Sequence, residues 1–184
     1  MTPVLLPVFR AVCERTPYQP KGIFFSELFL FLRACDAAFV DQVIESGVKH
    51  GMSTRVLAAV YGGHVISIDQ RFPRAFQAPA GVRLVRGDAR VELPRLLAAA
   101  RGRVAVLIDG PKGRKALVLK DACLAYPGVH LVGIHDLPRG YGEQAHSHDP
   151  TFRTYYGRDL DRLMPAAMTA KYPDGPGLGI WKRP

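Results

Sequence analysis

The stretch VIESGVKHGMSTRVLAAV, residues 43–60, decides how this chain folds. It begins with apolar, β-branched residues that are typical of a strand and continues, after two glycines, with residues that favour a helix. Gly47 and Gly51 permit a sharp turn and a close approach of the backbone to a ligand, because glycine has no β-carbon. The first helical turn, which holds Ser53 and Thr54, offers free amide groups that favour a negative charge. We therefore expect a strand, a ligand-binding turn and a helix.

The same alternation continues along the chain. Segments of strand type lie at residues 39–45, 64–69, 82–88, 103–109, 129–136 and 177–184, and helical segments lie at 25–38, 52–60, 90–100 and 113–126. Strands that are almost wholly apolar and alternate with helices indicate a parallel sheet that is covered on both faces. We predict an α/β fold: one Rossmann-like, doubly wound domain with a mostly parallel sheet of about seven strands.

We place this domain at residues 39–184 and an N-terminal extension at residues 1–38. Four prolines at positions 3, 7, 17 and 20 predict irregular structure or short turns up to residue 22, followed by one helix. The apolar stretch GIFFSELFLFL, residues 22–32, is too short to span a bilayer and contains Glu27. It could pack on the chain's own core or on a second subunit, which would make the protein a homodimer.

The composition indicates which kinds of molecule the protein binds and in which cellular compartment it works. The chain has 184 residues, 25 Lys and Arg against 16 Asp and Glu, and a formal net charge of +9. Such a charge favours anionic partners, but the basic residues are scattered, so a small anionic molecule is expected rather than nucleic acid. The three cysteines are far apart, which disfavours a disulfide framework and indicates a reducing, cytoplasmic location.

Acidic residues stand at the ends of five predicted strands: Glu45, Asp69, Asp88, Asp109 and Asp136. Open parallel sheets bind ligands past the carboxyl ends of their strands, so five such acids favour a ligand rim. The alternative is that each acid only caps the helix that follows it. Asp69 is placed to accept hydrogen bonds from ribose hydroxyls, so the ligand should carry a ribose and an anionic end. The Gly-x-Gly-x-x-Gly pattern of dinucleotide sites is not present at the turn.

In their order and spacing, the segments VIESGVKHGMSTRVLAA, VISID, RGDARVELPRLL and VLIDGPKG resemble the motifs of class I S-adenosylmethionine-dependent methyltransferases. The resemblance is closest to the small-molecule, metal-dependent O-methyltransferase branch and covers residues 39–136. It implies S-adenosylmethionine as the cofactor. It also implies the cofactor contacts: the methionine end at Glu45, Gly47, Gly51 and Ser53, the ribose at Asp69, the adenine at Asp88 and Ala89, and a further contact at Asp109. The alternatives are a helix cap for Ser53 and a turn residue for Asp88.

In that branch, an Asp after the fourth strand and an Asp-Asn pair after the fifth hold a divalent cation, and a Lys three residues past the first Asp is the base. Asp109 and Lys112 match this pattern, whereas His135 and Asp136 replace the pair. The resemblance thus implies Lys112 as the catalytic residue and a metal set of Asp109, His135 and Asp136. The ion would be Mg²⁺, Mn²⁺ or Zn²⁺, and an imidazole ligand favours manganese, iron or zinc over magnesium. The alternative is a buried, hydrogen-bonded histidine beside a solvated lysine.

The segment LPRGYGEQAHSHDPTFRTYYG, residues 137–157, follows the fifth strand and should shape substrate choice. His146, His148 and Asp149 could form a second metal site, and three arginines could bind an anionic substrate: Arg139, Arg153 and Arg158. Both groups are equally typical of a polar loop.

Together these patterns predict an enzyme that methylates a small molecule, at oxygen and with help from a metal ion. The alternative is a non-catalytic binding protein that keeps the cofactor fold and binds nucleic acid or another anion. Metal-dependent oxygenation is disfavoured, because Asp109, His135 and Asp136 lack the second histidine of the oxygenase triad.

Overall fold

A computed structural model describes residues 5–17, 22–23, 25–137, 152–155 and 177–183. The helices are α1 (Leu5–Arg15), α2 (Phe25–Ala37), α3 (Met52–Tyr61), α4 (Ala89–Ala99) and α5 (Arg114–Leu124). The strands are β1 (Gln42–Ser46), β2 (Val65–Asp69), β3 (Arg83–Arg86), β4 (Val104–Ile108), β5 (Val129–Leu137), β6 (Phe152–Tyr155) and β7 (Gly177–Lys182). A short 3-10 turn, Gly62–His64, joins α3 to β2.

The strands form one seven-stranded sheet in the order β3-β2-β1-β4-β5-β7-β6. Strands β1 to β5 are parallel, and β7 runs antiparallel to both of its neighbours, β5 and β6. The prediction of an α/β fold with about seven mostly parallel strands is confirmed. Because β1 has β2 on one side and β4 on the other, the direction of winding reverses beside β1. Such a switch point opens a crevice at the carboxyl edge of the sheet.

Alternate residues of each strand face opposite sides of the sheet, and two cores result. On one side Val43, Ala105 and Leu107 pack with helices α1, α2 and α3. On the other side Ile44 and Val106 pack with helices α4 and α5. Strands that are apolar on both faces are therefore a direct consequence of helices on both faces.

Helix α1 contradicts the expectation of irregular structure before residue 22. Pro7 lies in the first turn of this helix, where its missing N–H has no intrahelical partner to lose. The Phe9 ring is fully buried, with its centroid 5.0 Å from that of Phe29 and 6.5 Å from that of Phe25. Helix α2 packs against β5 and β7, so its apolar side chains join the chain's own core. The domain boundary at residue 38 stays a prediction.

Several predicted site residues lie outside the described part of the chain, namely Arg139, His146, His148, Asp149 and Arg158. The side chain of Arg153, in β6, also lies outside it. Among the described helices, none combines the length and apolar character needed to cross a bilayer.

Candidate active site

A cavity of about 540 Å³ opens at the carboxyl edge of the sheet, beside the switch point. Its walls come from the ends of β1 and β2 and from the loops that follow β3 and β4. Four residues predicted to bind cofactor are among those that line it: Gly47, Asp69, Asp88 and Ala89. The structure thus brings these four residues around one volume.

Asp69 borders this cavity and also fixes the loop after β1. Its Oδ2 accepts hydrogen bonds from the backbone N–H groups of Val48 at 2.8 Å and Lys49 at 3.0 Å, and its Oδ1 accepts one from Arg71 at 2.9 Å. A carboxylate oxygen can accept two hydrogen bonds, so Oδ1 has capacity left for a ligand hydroxyl. The acid is therefore both a loop anchor and an acceptor at the cavity.

The sequence left open whether Asp88 is a structural residue of a turn or a residue of the ligand site, and its position in the structure suits both. It is the N-cap of α4 and accepts a hydrogen bond from the Arg90 N–H at 2.9 Å, yet it lines the cavity as well. Hydrogen bonds from the Arg90 side chain and backbone lower the pKa of Asp88 to about 2. The carboxylate is consequently charged at neutral pH.

Glu45 lies within β1 and is fully buried, so it departs from the expectation that it stands on the ligand rim. The hydroxyls of Ser53, Thr54 and Ser67 all donate to its carboxylate, Thr54 at 2.6 Å and Ser67 at 2.8 Å. Burial raises the pKa of Glu45 to about 7, even though these three hydrogen bonds favour the charged form. Glu45 and Ser53 contact each other, and the sequence did not indicate Thr54 or Ser67 as partners.

The two glycines of the turn have positive φ, as a sharp turn requires, at +93° for Gly47 and +74° for Gly51. A β-carbon at Gly47 would lie 2.7 Å from the amide nitrogen of Gly110 and 2.9 Å from the carbonyl carbon of Asp109. A β-carbon at Gly51 would overlap the ring of Phe76. The close approach predicted at both glycines is therefore made by other parts of the same chain.

A cluster of polar side chains lies just after β4 and at the end of β5. Its members are Asp109, Lys112, His135 and Asp136. Lys112 Nζ contacts Asp109 Oδ1 and lies 2.5 Å from Asp136 Oδ2, and His135 Nδ1 lies 2.7 Å from Asp109 Oδ1. One ligand atom from each predicted metal ligand, Asp109, His135 and Asp136, falls within 4.8 Å of the others. The structure thus brings together the predicted catalytic lysine and the three predicted metal ligands.

His135 and Asp136 are neighbours in sequence, and regular strand geometry would place them on opposite faces. The pairing of β5 with β7 is irregular between Ile134 and Leu137, and Asp136 has a left-handed φ of 62°. Such a backbone costs about 1–2 kcal/mol for a residue with a β-carbon. This irregularity lets both side chains reach the same cluster.

Glu27 completes the cluster, and the sequence interpretation missed it. This fully buried acid of α2 has its Oε2 3.3 Å from His135 Nε2. The available signal was an acid inside the apolar run of residues 22–32. Burial by itself would lower the pKa of His135, but hydrogen bonds to Asp109 and Glu27 raise it to about 9. For Asp109, burial acts to raise the pKa, whereas His135 and Lys112 hold it below its ordinary value.

No protein-family model matches the sequence, and a search of curated protein sequences finds no match. Solved structures do match. The cofactor-bound protein Rv0187 from MTB is similar with a TM-score of 0.58 and 16% identity, over 97% of this chain and 88% of that one. A putative O-methyltransferase from Klebsiella pneumoniae is similar with a TM-score of 0.58 and 15% identity, and an O-methyltransferase from Bacillus cereus in complex with SAH is similar with 0.58 and 14%. Each of these two matches covers 97% of this chain and 90% of the other.

The chain has the fold of S-adenosylmethionine-dependent methyltransferases. The resemblance seen in the sequence is confirmed at the level of the fold. In this methyltransferase fold the described cavity lies at the edge of the sheet that open α/β folds use for ligands.

Proposed function

We propose that this chain is an S-adenosylmethionine-dependent methyltransferase that acts on an oxygen atom of a small, anionic molecule. The observation that carries the proposal is a cavity bordered by Asp69, Asp88 and Ala89 at the switch point, beside the polar cluster of Lys112. Similarity to an O-methyltransferase in complex with SAH supports the cofactor. Three free, buried cysteines among the described residues are in accord with a cytoplasmic location.

The cavity fits the cofactor by size and chemistry. Its volume of about 540 Å³ lies within the range of small-molecule sites, roughly 300–1,000 Å³. The Asp69 carboxylate would accept from the ribose hydroxyls, and the α4 N-terminus at Asp88 and Ala89 would border the base. The loop from Gly47 to Ser53, which Asp69 and Glu45 hold in place, would bind the methionine end. When bound, this cofactor supplies a methyl group activated by a positively charged sulfur.

The residues of the polar cluster would position the acceptor. The acceptor oxygen must lose its proton as it gains the methyl group, so a proton acceptor and a hydrogen-bond donor are both useful nearby. Asp136 is partly exposed and Lys112 is about half exposed, so both can contact a bound molecule. Their carboxylate and ammonium groups suit an acceptor that is itself an oxyanion or becomes one.

The resemblance to the metal-dependent O-methyltransferase branch also implies a divalent metal at Asp109, His135 and Asp136. The donor types suit manganese or zinc, but their surroundings do not. Both ring nitrogens of His135 face carboxylates, and the Lys112 ammonium contacts both aspartates. The proposed function therefore contains no step that depends on a metal ion.

The first test is calorimetric titration of S-adenosylmethionine and S-adenosylhomocysteine into the protein, in EDTA and then with Mg²⁺, Mn²⁺ or Zn²⁺. We expect a dissociation constant of about a micromolar, and a loss of at least roughly tenfold in the Asp69→Ala variant. Asp121→Ala, which removes an exposed acid that does not line the cavity, is the control for charge. Absence of binding under every condition, or full affinity in Asp69→Ala, would overturn the cofactor assignment.

A second candidate function is binding of single-stranded nucleic acid, and one surface favours it. A cavity of about 360 Å³ is lined by Arg15, His50, Arg55 and Phe76 together with apolar neighbours, and no acid is among its described lining residues. The Arg55 guanidinium lies 5.5 Å from the Phe76 ring centroid, and Phe72 stacks on Phe76. Cations combined with stacking aromatics are typical of single-strand binding.

This candidate predicts that affinity for a labelled single-stranded RNA falls steeply with salt, with a slope of about −0.7 per phosphate contact. Arg55→Ala should weaken the binding more than Arg114→Ala, which removes an exposed charge elsewhere. Binding that is weak at low salt, or equal in the two variants, would remove this candidate.

A further inference from the structure

The Lys112 side chain occupies a distinctive position in the polar cluster. Its ammonium contacts Asp109 Oδ1 and lies 2.5 Å from Asp136 Oδ2, which are the two carboxylates a divalent ion would use. An ammonium has three N–H donors and no acceptor. Between two carboxylates, it supplies the positive charge that a metal ion would otherwise supply.

Both ring nitrogens of His135 already have polar partners, so a metal ion would have to displace one of them. His135 Nδ1 lies 2.7 Å from Asp109 Oδ1 and 3.4 Å from Lys112 Nζ, and its Nε2 lies 3.3 Å from both Glu27 and Asp136. The ring is 3% exposed, and Glu27 reaches it from α2, on the face of the sheet that the N-terminal helices cover. A metal ligand needs one ring nitrogen free of hydrogen, facing the ion.

We propose that Lys112 takes the place of a divalent cation in this site. Glu27 is a positioning residue that holds the His135 ring in contact with Asp109 and Asp136. The chain then works without a divalent metal, and its own ammonium is the fixed positive charge beside the acceptor. Only the catalytic meaning of this inference rests on the proposed function, since the binding of cations can be measured without cofactor or acceptor.

Lys112 and Asp136 have separate parts in the proposed methyl transfer. As the acceptor oxygen bonds to the methyl carbon, the carbon–sulfur bond breaks and its electron pair neutralises the sulfonium. The acceptor's hydroxyl proton passes to the Asp136 carboxylate. Two Lys112 N–H groups engage Asp109 and Asp136, and the third would turn from His135 Nδ1, 3.4 Å away, to the acceptor oxygen and stabilise the charge that develops there.

Titration calorimetry with MnCl₂ and with ZnCl₂ tests the proposal directly. We expect the wild-type protein to bind either ion weakly and Lys112→Ala to bind at least tenfold more tightly, because two carboxylates then lack their counter-ion. Arg114→Ala removes the same charge two residues away, from an exposed position, and should leave ion affinity unchanged. Adding Asp136→Asn to Lys112→Ala should abolish the gain, which locates the new site.

The Glu27→Gln variant tests whether Glu27 positions the His135 ring or only stabilises the fold. In the Lys112→Ala background it should tighten zinc binding further, because one nitrogen of His135 is released, whereas a purely structural role would change only stability. Lys112→Met serves as a second variant should Lys112→Ala fold poorly. The proposal is overturned when the lysine variants bind the ions no more tightly than wild type, or when Glu27→Gln leaves zinc affinity unchanged. Failure of the protein to bind S-adenosylmethionine would be a separate result, against the cofactor alone.

Discussion

At the scale of single residues, Glu45 is a fully buried acid where β1 meets α3. It has no exposed surface, and its stabilisation depends on three hydroxyl groups from α3 and β2. These hydrogen bonds join the strand, the following helix and the neighbouring strand at one carboxyl group. Burial still favours its neutral form and raises its pKa to about 7.

This pKa shift predicts a pH dependence of stability. A buried acid with a raised pKa binds its proton more tightly in the folded state, so Glu45 contributes most stability at low pH. That contribution falls between the unfolded value of 4.5 and the folded value of about 7. Relative to Glu45→Gln, the wild-type free energy of unfolding should decrease by roughly 2 kcal/mol from pH 5 to pH 8.

Urea unfolding of both proteins at the two pH values measures this difference, and common effects of other groups cancel between them. The Glu92→Gln variant is a control on a partly exposed acid of α4. A constant difference between wild type and Glu45→Gln would show that Glu45 titrates in the folded protein as it does in the unfolded one.

The positions of residues were predictable where a motif carried them and unpredictable where only packing did. Asp69, Asp88 and Gly47 were placed at the cavity from strand ends and turn chemistry. The contribution of Glu27 depends on α2 crossing the sheet above β5, which is a long-range contact with no local signature. The irregular backbone at Asp136 is likewise set by pairing with β7, far along the chain.

At the scale of elements, the loops after β1 and β4 are packed backbone against backbone. Backbone N–H groups of Asp109 and Gly110 donate to the Ser46 carbonyl at 2.7 and 3.0 Å, and the Ser46 hydroxyl donates to the Gly110 carbonyl. The absence of a side chain at Gly47 permits this contact. The two loops therefore form one rigid wall of the cavity.

Gly47→Ala should destabilise the protein by roughly 2–4 kcal/mol, since it combines a positive φ with a clash against backbone atoms that cannot move cheaply. Gly113→Ala is the matched control. Gly113 also has a positive φ, at +62°, but a β-carbon there would meet no atom within 4 Å. It should cost about 1–3 kcal/mol, because its φ of 62° and ψ of −141° are strained for a residue with a β-carbon but no packing clash is added. Guanidinium unfolding compares the two, and equal losses would contradict the packing argument.

Most elements were predictable from the sequence, because apolar runs and helical segments alternate regularly from residue 39 onward. Helix α1 was not, since four prolines suggested a broken segment. Only the position of Pro7 within the first turn makes that proline compatible with a helix, and the sequence does not reveal where a helix begins when no capping residue marks it.

At the scale of the whole molecule, the N-terminal helices are part of the central structure. They cover one face of the sheet, and the α1 side chain of Phe9 is as buried as any residue of the strands. The single tryptophan, Trp181 of β7, lies in the core on the opposite face. The two faces share the sheet, so they should unfold together.

Phe9→Ala should lower the free energy of unfolding by about 3–5 kcal/mol, the usual cost of removing a large buried aromatic ring. Trp181 fluorescence and circular dichroism should report one common transition at the lowered midpoint. Phe39→Ala, at a phenylalanine that is 78% exposed, should change stability by less than about 0.5 kcal/mol. A fluorescence transition that is unmoved by Phe9→Ala would mean that α1 is a separate, dispensable layer.

The position of β7 has a consequence for how the protein is made. This strand is the last of the seven along the chain, yet it lies between β5 and β6 and pairs with both. During synthesis β6 therefore emerges from the ribosome before β7, which is the only strand that β6 pairs with in the described sheet. Until β7 emerges, the open edge of β5 is a surface to which other nascent chains or chaperones can bind, so biosynthesis passes through a period when the sheet is complete on one side of β5 and unprotected on the other.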